Sequence, residues 1–571
     1  MAKPGYGAPM LLVYGPRSTS YDFGPSHPLT PRRFGPAIDL LEAVGAQPGL
    51  APEPVGDAEL EPCHASAFVR VVRGFSSDPF GLPNAGISEY GDVPPFPGMH
   101  EAGAMVAGGS LRAMEAILRH DVEHAFHPGG GLHHAMRDRA SGFCIYNDVA
   151  LAIARARRDG LRVLYLDFDV HHGDGVQDLF YGDPGVLTFS IHETGRFLFP
   201  GTGFADEIGE GRAAGSAVNV PLQPGTGERA WLEAVRFLVP ALATAFQPDV
   251  VVSQHGADSH AFDPLAHLRM TTTAMGEAAR IVDAVAHRWA GGRWLATGGG
   301  GYDAYRVVPR SWSLVWLAGA HRDVPAATPM AWRERWAEEA ARYGQSPLPE
   351  TFDDPPNAGI PFDASQAAAE EQSLDVAQGI SAALVPALIR EAVSREWLDL
   401  LAPGGDDAFA AIPGGAPTVH ARLEPARLEG LGFAARVLPG SPKAILGSMP
   451  ERDRVSVTAA VVQDVAVGAV VSASSASGSG RTILSIGVAP EHRGYGLASA
   501  MLEAHVGSFR PGDETLSATI TIAERDWVDP LEPTVRVSAA RRLFEGAGFA
   551  VRPADRRVRA IDPLAFEALL G

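Results

Sequence analysis

Arg162-Val-Leu-Tyr-Leu-Asp-Phe-Asp-Val-His-His-Gly-Asp-Gly175 joins a short apolar run to a polar one. The run through Leu166 has the length and the β-branched and aromatic character of a buried strand, and the polar residues begin where it ends. In open parallel α/β sheets, ligands bind beyond the carboxyl ends of the strands. Alternation along an extended chain puts Asp167, Asp169 and His171 on one face. Carboxylates and an imidazole gathered there suit a hard or borderline cation.

Working outward, Val186-Leu-Thr-Phe-Ser-Ile191, Asp249-Val-Val-Val-Ser253 and Trp294-Leu-Ala-Thr297 read as further strands, while Met99 to His120 and Glu228 to Phe246 read as helices. The alternation from Leu11 to about Trp316 predicts a parallel sheet with crossover helices. The other strand ends are also polar. Gln254-His-Gly-Ala-Asp258 adds a carboxylate, so that Asp169, His171 and Asp258 supply three protein ligands and leave a coordination position open, as catalytic metal sites do. Pro128-Gly-Gly-Gly-Leu-His133-His134 presents adjacent imidazoles for acid–base work, with Asp167 and Asp174 available to fix their tautomers. Gly298-Gly-Gly-Gly-Tyr302 lets the backbone approach closely and offers a phenol to a developing oxyanion. Metal, base and oxyanion donor together indicate hydrolysis of an acyl bond.

Charge and composition narrow the remaining classes. The chain has 571 residues, too many for one average domain, and 47 Lys+Arg against 67 Asp+Glu give a net charge of −20. That argues against nucleic acid and anionic membranes as partners. Almost every cation is an arginine, the lysines being Lys3 and Lys443. Cys63 and Cys144 make no disulfide framework, and neither a secretory signal nor a run of about 18 apolar residues is present, so a soluble cytoplasmic protein is expected. Arg342 to Gln372, rich in Pro, Asp and Ser, reads as a domain edge; a helix is expected from Leu374 to Leu401. Beyond it, Val455 to Val471, Thr482 to Val488 and Ser517 to Ile522 read as strands of a smaller mixed sheet, with a Ser/Gly hairpin loop at Ser474 to Gly480 and a helix from Ala498 to Val506.

The four polar pieces occur together with Tyr21 to Arg33, Phe96 to His100, Ala140 to Asp148 and Phe199 to Gly203, and on these segments the first part resembles the histone deacetylase superfamily, specifically its bacterial acetoin utilization branch. The resemblance implies an arginase/deacetylase-like parallel sheet flanked by helices over residues 1–372, and a zinc-dependent deacetylase that hydrolyses acetyl-lysine to lysine and acetate on protein substrates, acyl-CoA synthetases among them. It implies Zn²⁺, or Fe²⁺, on Asp169, His171 and Asp258, and a structural K⁺ on Asp167, Asp169, His171, Ser190 and the Ile191 carbonyl. His134, oriented by Asp174, would move the proton of the attacking water to the leaving amine; His133, backed by Asp167, would stabilise charge; Tyr302 would donate to the oxyanion. Gly142, Phe143 and Phe199 would line the channel, with Leu265 at its rim, Asp92 on the substrate backbone and Arg33 by the acetate exit. The alternative on the same residues is an acetylpolyamine or other small-amide amidohydrolase.

After a linker helix at 373–400, residues 401–571 offer Gly487-Val-Ala-Pro-Glu-His-Arg-Gly-Tyr-Gly-Leu-Ala498, a strand-to-helix turn whose exposed amides suit a pyrophosphate. With Ala540 to Phe549 it resembles the GNAT acyl-CoA-dependent acetyltransferases. The resemblance implies a smaller α+β domain binding acetyl-CoA through Val488, Arg493, Gly494, Gly496 and Ala498. Phe544 stands where many members have a tyrosine acid and Val537 where an asparagine is expected, and Glu524 is a candidate base, so transfer and mere acyl-CoA sensing both stay open.

Overall fold

A computed structural model describes residues 10–394, 418–423, 432–433, 455–462, 465–474, 480–488, 497–509, 515–520, 550–553 and 564–569. The chain divides into two units, residues 1–235 with 246–380, and residues 236–245 with 381–571.

The first unit is built on eight strands: β1 (Leu11–Val13), β2 (Pro48–Leu50), β3 (His124–His127), β4 (Val163–Asp167), β5 (Val186–Glu193), β6 (Ala217–Leu222), β7 (Val250–Gln254) and β8 (Trp294–Thr297). They lie in the order β2-β1-β3-β8-β7-β4-β5-β6, and every pairing is parallel. Both alternating sets of residues are buried, Val163 and Tyr165 on one face of β4 and Leu164 and Leu166 on the other. A sheet covered on both faces requires such near-continuous apolar strands. On the Val163 face, helices Met99–Leu118 and Asp148–Arg158 pack Met114, Ile117, Val149 and Ile153 against Ala125, Tyr165, Val250 and Val252.

The chain runs from β3 to β4, out to β6, and returns through β7 and β8 to fill the gap, so β3, β8, β7 and β4 become adjacent. Their last residues form one cross-strand row, His127–Thr297–Gln254–Asp167, with Ser190 of β5 following. Four polar loops leave the sheet side by side from that row.

The parallel sheet with helices is as expected, while several boundaries differ. β2, β3 and β6 are short or near an edge and carry little periodic signal. The helix expected from Leu374 starts at Ala364, inside the stretch read as a domain edge, and runs to Ser394 within the described residues. Gln366, Glu370 and Ser373 are buried there. Glu370 accepts from Arg229 Nε at 2.7 Å, and the Ser373 hydroxyl from the Gln223 amide at 3.0 Å. Polar residues that looked like linker are a packed helix face.

In the second unit, Val455–Val462 and Val465–Ser474 pair antiparallel where one strand was expected; in the sequence, the polar Gln463 and Asp464 divide the apolar run between them. The sheet is mixed, since Gly480–Val488 pairs antiparallel with Val465–Ser474 and parallel with Thr515–Ile520. A helix spans Leu497–Gly507. Among the described residues no helix is long and apolar enough to cross a membrane.

Candidate active site

The Asp167-to-Gly175 segment turns back on itself through its own carboxylates. Asp167 Oδ1 accepts from the Asp169 amide at 3.1 Å, and Asp169 Oδ1 from the His171 amide at 3.0 Å. These two-residue spacings fold the segment into successive Asx turns, aiming Asp169 and His171 into the space beyond the sheet. From the loop after β7 comes Asp258, whose Oδ1 accepts from the Val170 amide at 3.0 Å. His171 Nδ1 then lies 3.1 Å from both Asp169 Oδ1 and Asp258 Oδ2, and all three residues are buried.

Two like charges buried together make it costly to keep both ionised. Burial and then the charge of Asp169 push Asp258 up to about 6. Burial opposes charging His171 as well, but Asp169 and Asp258 overcome it and raise the imidazole to about 10. A divalent cation supplies this charge balance directly, and the donor set of two carboxylates and an imidazole is that of a borderline metal. The space fits too, because a Cβ on Gly256 would collide with the Asp169 carboxylate, and one on Gly300 with that of Asp258. Gln254 Nε2 and the Gly300 amide hold Asp169 Oδ2 at 2.6 and 2.9 Å.

Two histidine–carboxylate pairs stand beside this group. His133 Nδ1 is 2.8 Å from Asp167 Oδ2, His134 Nδ1 is 2.6 Å from Asp174 Oδ1, and the two Nε2 atoms are 3.0 Å apart. The glycine-rich turn presenting them is fixed by Asp148, which accepts from the Gly131 and Leu132 amides. The environments split the pair. Burial disfavours charge on His133, yet Asp167 and Asp169 overcome it and lift it to about 9. Burial and then repulsion from His133 push His134 down to about 4.

A pocket opens onto both groups, lined by His133, His134, Gly142, Phe143, Asp169, His171 and Tyr302. Gly142 (φ 53°) must be glycine, since a Cβ would strike both the His134 ring and Phe199. Phe199, 43% exposed, stands edge-on to His134 at 5.0 Å, and Phe143 edge-on to Tyr302 at 6.0 Å. Burial first, then Asp258 and Asp169, hold the Tyr302 phenol well above its usual range, so it is a donor at neutral pH. Arg33 is buried behind the pocket, with Nη1 donating to the Gly299 carbonyl at 2.7 Å. Asp92 is exposed and accepts from the Gly142 amide at 2.7 Å. Leu265 is half-buried, its amide held by Asp263, and it does not line the pocket. Ser190 and Ile191 lie on β5, Ser190 as the cross-strand partner of Asp167.

Sequence reading passed over Leu29, Leu132 and Cys144 in the lining and Tyr165 beneath it, whose hydroxyl donates to Asp167 Oδ2 at 2.5 Å. Tyr165 was legible in principle, two residues before Asp167 on the same strand face. Of the acyl-CoA residues, Val488 is buried at the end of strand Gly480–Val488 and Ala498 lies in the first turn of the following helix. Arg493, Gly494, Gly496, Glu524, Val537 and Phe544 lie outside the described residues.

The histone deacetylase domain model matches residues 27–318, which contain the entire pocket. The chain belongs to the histone deacetylase family. As a histone deacetylase family protein it is an amide hydrolase of the deacetylase type. The acetoin utilization protein AcuC of Bacillus subtilis (strain 168) is 39% identical over 380 residues, covering 65% of this chain and 97% of that protein. The AcuC of Staphylococcus xylosus is 36% identical over 350 residues, 60% of this chain and 90% of that one. Among solved structures, an HDAC homolog complexed with SAHA superposes with a TM-score of 0.55 at 27% identity, covering 64% of this chain and 100% of its own.

Proposed function

We propose that the first unit hydrolyses acetyl-lysine in proteins to lysine and acetate. The observation that carries this reading is the pair of buried histidines, each on its own carboxylate, with Nε2 atoms 3.0 Å apart in one pocket with Asp169, His171 and Tyr302. Asp169, His171 and Asp258 would hold a Zn²⁺ or Fe²⁺ ion, which when bound supplies a Lewis acid for the acetyl carbonyl. Gly142, Phe143 and Phe199 would guide the apolar lysine stem and exclude water, with Leu265 at the rim and Asp92 steering the peptide backbone. His134, neutral because burial and His133 disfavour its charge, would take the proton of the attacking water at Nε2 and pass it to the leaving amine. Asp174 holds its ring for both transfers. His133, kept cationic by Asp167, would offset the negative charge that develops, and the Tyr302 hydroxyl would donate to the oxyanion. Arg33 would draw acetate away, and Asp167, Asp169, His171, Ser190 and Ile191 would hold a K⁺ ion beneath the site.

The two relatives are named acetoin utilization proteins; for this chain, acetylated acyl-CoA synthetases would be the protein substrates. Acetyl-lysine peptide against acetylputrescine is the test: preference for the peptide by kcat/KM is expected, and preference for the polyamine would move the function to small amides. Tyr302→Phe should lower kcat on the order of 10²-fold while keeping the metal; near-normal turnover would remove Tyr302 from the mechanism.

For residues 401–571 we propose acyl-CoA binding. The support is a strand, Gly480–Val488, followed by helix Leu497–Gly507 and a parallel neighbour, Thr515–Ile520, the arrangement that places a phosphate at a helix N-terminus. Acetyl-CoA titrated into the full chain should bind, and Arg493→Ala should weaken it; no binding would leave a structural role.

A further inference from the structure

At the amino end of the first unit's sheet, four side chains that take no part in the pocket converge. His124 is the first residue of β3. Asp283 and His287 lie one turn apart on helix Thr272–Trp289, and His321 follows helix Val308–Gly319 at φ 51°, a left-handed conformation that a non-glycine residue rarely adopts. One ligand atom from each lies within 4.8 Å of all the others.

Hydrogen bonding alone does not account for their geometry. His287 Nε2 lies 3.0 Å from His124 Nε2, 3.0 Å from His321 Nε2 and 3.4 Å from Asp283 Oδ1. A ring nitrogen has either one proton or one lone pair, so it serves one such contact, not three. Asp283 Oδ1 is meanwhile 3.1 Å from His321 Nε2 and 3.5 Å from His124 Nε2. A tetrahedral ion with bonds of about 2.0–2.1 Å places its ligand atoms about 3.3–3.4 Å apart. The five separations above, from 3.0 to 3.5 Å, match five of the six edges of such a tetrahedron, the sixth, between His124 and His321, lying within 4.8 Å, and a cation among the four would satisfy their lone pairs together.

We propose that His124, Asp283, His287 and His321 form a second metal site, structural and selective for Zn²⁺. Three imidazoles and one carboxylate are borderline donors; they suit zinc better than Mg²⁺ or Ca²⁺, which take oxygen, and a tetrahedron disfavours Cu²⁺. Four protein ligands close the coordination sphere, which distinguishes a structural from a catalytic site. His124 is buried, while the side chains of Asp283, His287 and His321 are 17%, 16% and 22% exposed, so an ion can enter from solvent. Once bound it ties the start of β3 to one helix and to the end of another.

The test uses untagged full-length protein, stripped with a chelator, dialysed against Zn²⁺ and assayed for zinc per chain by mass spectrometry. Wild type should hold one more zinc than His321→Ala, while His321→Ala keeps its acetyl-lysine hydrolysis. Equal zinc in the two proteins would overturn the proposal. If His321→Ala does not fold, Asp283→Asn and His287→Gln, which keep side-chain size, make the same comparison. Co²⁺ supplies an independent reading: in Asp258→Asn protein it should give the intense visible bands of tetrahedral cobalt, lost on adding His321→Ala, and weak octahedral bands there would equally overturn the site.

Discussion

The two ends of one parallel sheet gather side chains able to hold a metal in different ways. At the carboxyl end, Asp169, His171 and Asp258 stand on loops whose turns are set by their own carboxylates. Carboxylates predominate, and the pocket opens beside them. At the amino end, His124 and the Asp283/His287 pair stand on a strand and a helix, imidazoles predominate, and four ligands face one another. Loops beyond strand ends can be rearranged for chemistry without disturbing the sheet, whereas groups on regular elements move only if the elements do. The first arrangement suits turnover and the second suits fastening.

This contrast breaks if substitutions at the two ends have similar effects on turnover. The largest expected effect is at the carboxyl end: His134→Ala should lower kcat by about 10²–10⁴-fold, while His287→Gln leaves kcat within about twofold, since no reacting group lies near it. Steady-state kinetics on an acetyl-lysine peptide checks both. Next is Gly142→Ala. Its Cβ must displace the His134 ring or Phe199, and misplacing a catalytic group by about 1 Å costs about 10²-fold, so kcat should fall with zinc content unchanged.

A smaller effect falls on stability and involves neither metal group. Burial depresses His64 to about 4 and His127 to about 3, so both are folded in the neutral form. A depressed folded pKa contributes stability that is complete above the unfolded value of about 6.5 and is lost as pH falls from there toward the folded value. Each histidine should therefore remove about 2 kcal/mol between pH 7 and pH 5. The urea midpoint should drop over that range, and His127→Gln should flatten the dependence; an unchanged midpoint would contradict the burial of these rings as neutral groups.

How much was legible follows the same division. Asp167 to Gly175 was readable because strand, turn carboxylates and ligands are contiguous, and Gln254 to Asp258 because it repeats that pattern. His133 and His134 announced themselves as adjacent imidazoles after a glycine turn. Tyr165 reads as one more apolar strand residue, and only its place two residues before Asp167 on the same strand face signals that its hydroxyl meets that carboxylate. The helix from Ala364 was hidden because its buried polar residues, Glu370 and Ser373, find partners far away in the chain, at Arg229 and Gln223.

By itself, then, the sequence determined the parallel α/β architecture of the first unit and marked the polar strand ends where its candidate site lies, because near-continuous apolar runs and the polar residues that follow them are local properties of the chain. Tertiary structure decided what those residues became. The return of β7 and β8 between β3 and β4 put four loops side by side, and burial beside particular charges made His133 cationic and His134 neutral. It alone brought together His124, Asp283, His287 and His321, since no spacing in sequence encodes which helix end packs against which strand start.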